Sequence, residues 1–110
     1  MKTSGAESTW SVIADPQVSR QIVELPDYLA EEARYLLQEL RENPRPSGAK
    51  LLRKNRELYT IRFGGAVDSK SGRVVSRCRL IYQVFDRSRT IYVRRVAHRN
   101  AETYSGFDRW

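Results

Sequence analysis

The sequence holds one cysteine, Cys78, one histidine, His98, and one methionine, Met1. A single cysteine excludes an internal disulfide, and beside a single histidine it excludes a cysteine–histidine zinc cluster. No metal and no other cofactor is expected. A reducing, cytoplasmic setting suits such sparing use of cysteine. Apolar runs are too short to span a bilayer, and the first residues lack the apolar segment of a signal peptide, so no membrane partner is expected. Six glycines and four prolines in 110 residues exclude a collagen-like or low-complexity chain. That length predicts one core and one domain over 1–110, with the small polar residues 1–8 as a flexible leader.

Acidic residues are scarce in one half only. Residues 1–49 carry five Lys/Arg against eight Asp/Glu, and residues 50–110 carry fifteen against five, so the net charge of +7 is the sum of −3 and +10. Charge segregated in this way predicts a basic surface, and polyanions are its default partners because neutralised phosphates release counterions. The alternatives are a solubilising charge excess or a face that docks an acidic protein.

The hydrophobic pattern predicts an α+β fold. Trp10, Val12 and Ala14 alternate with Ser11 and Ile13 as a first strand. Asp15-Pro16 reads as an N-cap followed by proline at the first helical position, and Val18, Ile22 and Leu25 follow at helical spacing. Pro26-Asp27 starts a second helix striped by Leu29, Ala33, Leu36, Leu37 and Leu40. Asn43-Pro44-Arg45-Pro46-Ser47-Gly48 ends it. After the basic stretch Lys50-Leu51-Leu52-Arg53-Lys54-Asn55-Arg56, Tyr59, Ile61 and Phe63 alternate with Leu58, Thr60 and Arg62 in a strand that closes at Gly64-Gly65. Asp68-Ser69-Lys70-Ser71-Gly72 marks a turn, and strands over Val74–Phe85 and Thr90–Ala97 complete a three-stranded antiparallel meander. The expected order is β-α-α-β-β-β, with the helical hairpin on one face of the sheet. Leu36, Leu37, Leu40, Ile61, Leu80, Tyr82 and Val93 are assigned to the core.

Period-two alternation places Arg62 and Arg79 on the face opposite Ile61 and Leu80. Arg94 and Arg95, adjacent in one strand, should point to opposite faces. The last strand then delivers His98, Arg99 and Tyr104. Guanidinium groups fork onto phosphate oxygens, and a histidine titrating near neutrality can move a proton beside them. Each has a structural alternative: a solvent-exposed histidine, a tyrosine packing the C-terminus, or, for Lys50, Arg53, Lys54 and Arg56, a solvated loop.

Several segments together resemble the RelE/ParE superfamily of small toxins from bacterial toxin–antitoxin pairs. These are Glu24-Leu25-Pro26, Leu40-Arg41-Glu42-Asn43-Pro44-Arg45-Pro46-Ser47-Gly48, Lys50-Leu51-Leu52, Leu58-Tyr59-Thr60-Ile61-Arg62, Cys78-Arg79-Leu80-Ile81-Tyr82-Gln83-Val84, and Val96-Ala97-His98-Arg99 with Tyr104 beyond it. The resemblance spans about residues 10–104. It implies a RelE-like, ribosome-associated and metal-independent endoribonuclease that cleaves mRNA by attack of a ribose 2′-OH on the adjacent phosphate. Its partners would be a cognate antitoxin protein, the ribosome and mRNA. Arg62, Arg79, His98, Arg99 and Tyr104 would be catalytic, and Lys50, Arg53, Lys54, Arg56, Thr60 and Arg77 would bind RNA. The sequence departs from the ribonuclease pattern at three places. Thr60 and Arg62 stand where RelE-type enzymes carry two lysines, Cys78 replaces a tyrosine, and the Gly64–Arg77 segment is longer. Lys70, Arg73 or Arg77 are candidates to restore the missing charge. Two other functions fit the same resemblance: a ParE-like gyrase inhibitor without chemistry of its own, and a non-toxic binding module.

Overall fold

A computed structural model of the chain describes residues 9–67, 70–72 and 74–98, with the backbone alone at 55, 66–67, 74–77 and 98. The elements are β1 (Ser11–Ala14), α1 (Pro16–Val23), α2 (Asp27–Glu42), β2 (Ala49–Arg53), a 3-10 turn (Lys54–Arg56), β3 (Leu58–Val67), β4 (Val74–Phe85) and β5 (Thr90–His98). The five strands form one sheet in the order β1-β5-β4-β3-β2.

The helix starts follow the local chemistry expected of them. The Asp15 carboxylate accepts from the Gln17 N–H at 3.1 Å, and Pro16 occupies the first helical position, where its missing N–H costs nothing. Pro26 forms the boundary before α2 and Asn43 closes it. Helix α1 lies along β5, and α2 reaches β3. Their apolar stripes, Val18, Ile22, Leu25, Leu29, Ala30, Ala33 and Leu40, bury against Ile61, Phe63, Leu80, Tyr82, Val84, Ile91, Val93 and Val96. Leu36 and Leu37, expected in the core, are only partly buried and pack against its margin.

Two features of the sheet depart from the sequence pattern. Lys50–Arg53, expected as a basic segment outside the sheet, belongs to an edge strand antiparallel to β3, with Lys50 opposite Thr60 and Leu51 opposite Tyr59. The sheet is also mixed: β1 runs parallel to β5, with Val12 opposite Ile91, while the other pairs are antiparallel. A parallel pair needs a crossover, which the helical hairpin and the meander together supply.

The β3–β4 pair is a long one. Among the described residues β5 pairs with β4 over Cys78–Phe85, while β3 and β4 stay paired out to Val67 and Val74. At the root of this ribbon Gly64 adopts φ 71°, a left-handed conformation suited to glycine, and donates its N–H to Glu32 on α2 at 2.8 Å.

The loop leading to β2 is pinned at one arginine. Arg45 donates from Nε to the Tyr59 hydroxyl at 2.7 Å, from Nη2 to Glu57 Oε1 at 2.6 Å, and from Nη1 and Nη2 to the two carboxylate oxygens of Asp86 at 3.2 and 2.8 Å. Its guanidinium also lies over the Tyr59 ring, 5.3 Å from the centroid, and that ring stacks on Tyr82 at 5.7 Å. The Tyr82 hydroxyl donates to the Pro44 carbonyl at 2.8 Å. The Asp86 contact raises the Arg45 pKa and holds the Asp86 carboxyl below its ordinary value, while burial pushes the Tyr82 hydroxyl upward.

Candidate nucleic-acid interface

Strand alternation sorts the sheet's side chains between two sides. Ile61 and Leu80 join the core under the helices. Their sequence neighbours Arg62 and Arg79 lie on the far face as direct partners across β3 and β4, as the pattern predicts. With Lys50 and Thr60 they line an open cleft of about 310 Å³, whose remaining wall includes Leu51 and Leu52. Among the described residues three cations and no carboxylate line it.

The cleft is built into the sheet. Lys50 is opposite Thr60, so the edge strand delivers its cation on the same face as the Arg62–Arg79 pair, two residues along the strand. Arg79 is only 8% exposed, and Thr60 is 6% exposed. The Thr60 hydroxyl oxygen is buried with no hydrogen-bond partner among the described residues, so a polar group aimed at the cleft awaits one. Guanidinium groups held by a sheet are preorganised for a planar, bidentate anion such as a phosphate.

Other expected site residues fall elsewhere. Arg53 is opposite Leu58 beyond a register shift, and Lys54 and Arg56 lie in the 3-10 turn, outside the cleft lining. Arg77 lies on β4 two residues before Arg79, and His98 ends β5 opposite Cys78. Ala97, not His98, is the cross-strand partner of Arg79. The leader 1–8, Arg73, Arg99 and Tyr104 lie outside the described residues.

The expectation that Arg94 and Arg95 point to opposite faces is corrected by a β-bulge. Ile81 pairs with Arg95 and Tyr82 with Val93, which leaves Arg94 as an extra residue. Val93 and Val96 both bury, so the two arginines between them take the far face together. Bulges leave backbone groups unpaired, and two glutamines one turn apart on α1 satisfy them here. Gln17 Nε2 donates to the Arg94 carbonyl at 3.3 Å, and Gln21 Oε1 accepts from the Val96 N–H at 2.8 Å. On the far face Arg94 donates from Nε and Nη2 to Gln83 Oε1 at 2.8 and 2.5 Å, and its guanidinium lies 4.6 Å from the Tyr92 ring centroid. Gln83 is itself fixed by donating to the Arg56 carbonyl at 3.1 Å. Sequence reasoning passed over this cluster. Its signal is the spacing of the apolar residues Ile91, Val93 and Val96, a step of two followed by a step of three.

Solved structures share this architecture. The isolated RelE toxin of Escherichia coli is 26% identical, with a TM-score of 0.60 over 91% of this chain and 96% of that one. The toxin in the intact E. coli RelBE toxin–antitoxin complex is 25% identical, with a TM-score of 0.61 over 83% and 98%. A RelBE complex of Mycobacterium tuberculosis, at 22% identity and a TM-score of 0.62 over 83% and 99%, shares the fold. A comparison with curated protein sequences finds no match. A mixed sheet backed by a helical hairpin, with cations on the face away from the helices, is thus the build of a small toxin from a toxin–antitoxin pair. The family model for the ParE toxin of type II toxin–antitoxin systems (parDE) matches residues 6–102, and the chain belongs to that family, within the RelE/ParE superfamily.

Among the described residues no helix is long and apolar enough to cross a membrane.

Proposed function

We propose that the protein is a RelE-like endoribonuclease that cleaves mRNA on the ribosome. The observation that supports this reading is the cleft in which Lys50, Arg62 and Arg79 meet, with no carboxylate lining it among the described residues. The 2′-oxygen of a ribose attacks the adjacent phosphorus, its proton leaves to a base, and the 5′-oxygen departs with a proton from an acid. The products are a 2′,3′-cyclic phosphate and a free 5′-hydroxyl. Negative charge accumulates on the phosphorane oxygens, and preorganised cations stabilise it more than they stabilise the ground state. Arg62 and Arg79 hold that phosphate, Lys50 neutralises the flanking one, and Thr60 donates to or accepts from the RNA strand. His98 is the base, with Arg99 a further clamp and Tyr104 the stacking or acid group. Arg53, Lys54, Arg56 and Arg77 contribute to the electrostatic hold on RNA. A cognate antitoxin with an acidic or amphipathic segment neutralises the protein by covering this basic face, as the RelBE complexes pair toxin with antitoxin.

Two observations favour a second reading, a gyrase inhibitor without chemistry. The matching family model is that of ParE toxins, and Thr60 stands where the ribonucleases carry a lysine. A cell-free translation reaction with 5′ ends of the message mapped by primer extension separates the two. New ends within codons that appear only on translating ribosomes, and vanish with Arg62→Gln/Arg79→Gln, support the ribonuclease. An intact message together with inhibited supercoiling of DNA supports the gyrase reading.

A further inference from the structure

We propose that Tyr92, Arg94 and Arg95 form a second RNA subsite on the far face of the sheet, which takes one base and its phosphate beyond the cleft. The inference rests on the ribonucleotide reading of the cleft and extends it across β5. Three observations carry it. The bulge turns two consecutive arginines to the face that already holds Arg62 and Arg79. Bulges re-aim side chains, and the fold holds this one in place with the Gln17 and Gln21 contacts from α1.

The Arg94 guanidinium is fixed before any ligand arrives. Gln83 Oε1 accepts two of its N–H groups, and the Tyr92 ring lies beneath it at 4.6 Å. A guanidinium layered on a ring in this way is a platform for a nucleobase, which stacks on its planar surface. The subsite is also continuous with the cleft. Thr60, Ile81 and Arg95 occupy one cross-strand row, and Arg62, Arg79 and Ala97 occupy the next row on the same face, with the core-facing Ile61, Leu80 and Val96 between them. Arg79 and Arg95 are therefore diagonal neighbours on adjacent strands, roughly 7–8 Å apart at their Cα atoms. A strand whose phosphate sits on Arg62 and Arg79 passes Arg95 on its way to the Tyr92–Arg94 platform.

The test measures binding of fluorescently labelled 2′-O-methyl oligoribonucleotides, which cannot be cleaved, by anisotropy. One oligonucleotide is long enough to cross the whole face and one is short enough to fill only the cleft. Tyr92→Leu and Arg95→Gln are compared with wild type and with Arg62→Gln, and thermal melting confirms that each variant is folded. The expected result is about tenfold weaker binding of the long RNA by Tyr92→Leu and by Arg95→Gln, the loss of one stacked base or one phosphate contact. The short RNA should bind them as it binds wild type, while Arg62→Gln weakens both lengths. Wild-type affinity of both β5 variants for the long RNA overturns the subsite and leaves the ribonuclease reading standing. Absence of any RNA binding by the wild type also overturns it, and the translation reaction then judges the ribonuclease reading by itself. An acidic peptide that loses affinity on the same substitutions, while RNA does not, overturns it too and assigns the patch to a protein partner.

Discussion

Arg62 and Arg79 face each other directly across β3 and β4, two like charges at a position where cross-strand pairing ordinarily destabilises. Local rules broken in this way mark sites where stability has been given up for binding. Arg62→Gln should therefore leave thermal stability unchanged or raise it by up to about 1 kcal/mol. Its mRNA cleavage on the ribosome should fall about 100-fold, the scale for losing one preorganised charge donor in a transition state. Thermal melting and primer extension on the same preparation check both halves. A variant that loses stability and keeps cleavage would place Arg62 in the scaffold instead.

Gln21 holds the far end of the bulge through the N–H of Val96, a residue only 1% exposed. Gln21→Ala strands that buried donor and should cost about 1–3 kcal/mol. Chemical denaturation gives the magnitude. Hydrogen exchange of the Val96 amide should quicken more than that of Leu80 on the neighbouring strand.

Tyr82 is buried and its hydroxyl pKa is raised by that burial. The unfolded chain loses this proton first, near the ordinary tyrosine value of about 10. The stabilisation is therefore complete below about pH 10 and is lost as pH rises toward the folded-state value. Tyr82→Phe should lower stability at neutral pH by about 1 kcal/mol through loss of the bond to Pro44. It should also flatten the alkaline decline, which denaturant melts on either side of pH 10 would show.

The Asp86 carboxyl is shifted in the other direction by its contact with Arg45. Its contribution is present above the unfolded carboxylate value of about 4 and disappears as pH falls through the lowered folded-state value. Arg45→Gln should thus be less stable than wild type near neutrality, and the difference should narrow in acid. A gap independent of pH would show that Arg45 acts through its stacking on Tyr59 rather than through the carboxylate.

Much of the fold is legible in the sequence because the relevant forces are local and periodic. The Asp15-Pro16 start of α1, the leucine stripe of α2 and the antiparallel pairing of β3 with β4 each follow from residue type at fixed spacing. The alternation in β3 and β4 also placed Arg62 and Arg79 correctly on one face, since a strand has only two faces to choose between. Lys50–Arg53 was harder to read. Its cations disguise an edge strand, where one side of the backbone faces solvent and charged residues are favoured.

The register lay beyond the sequence. Nothing local in Trp10–Ala14 says that β1 pairs in parallel with β5, because that partner is some eighty positions away and is chosen by how the helical hairpin returns the chain. The bulge at Arg94 is a similar case. Its trace is in the spacing of Val93 and Val96, but the conclusion that two arginines share a face depends on where Ile81 and Tyr82 sit and on the glutamines of α1. Sequence by itself determined which side chains are apolar, which are cationic and how they repeat, since these are properties of single residues and short spacings. Only the tertiary structure decided which cations meet. Cross-strand neighbours are set by hydrogen-bond register between segments remote in the chain, and a shift of one residue would have turned every arginine to the other face.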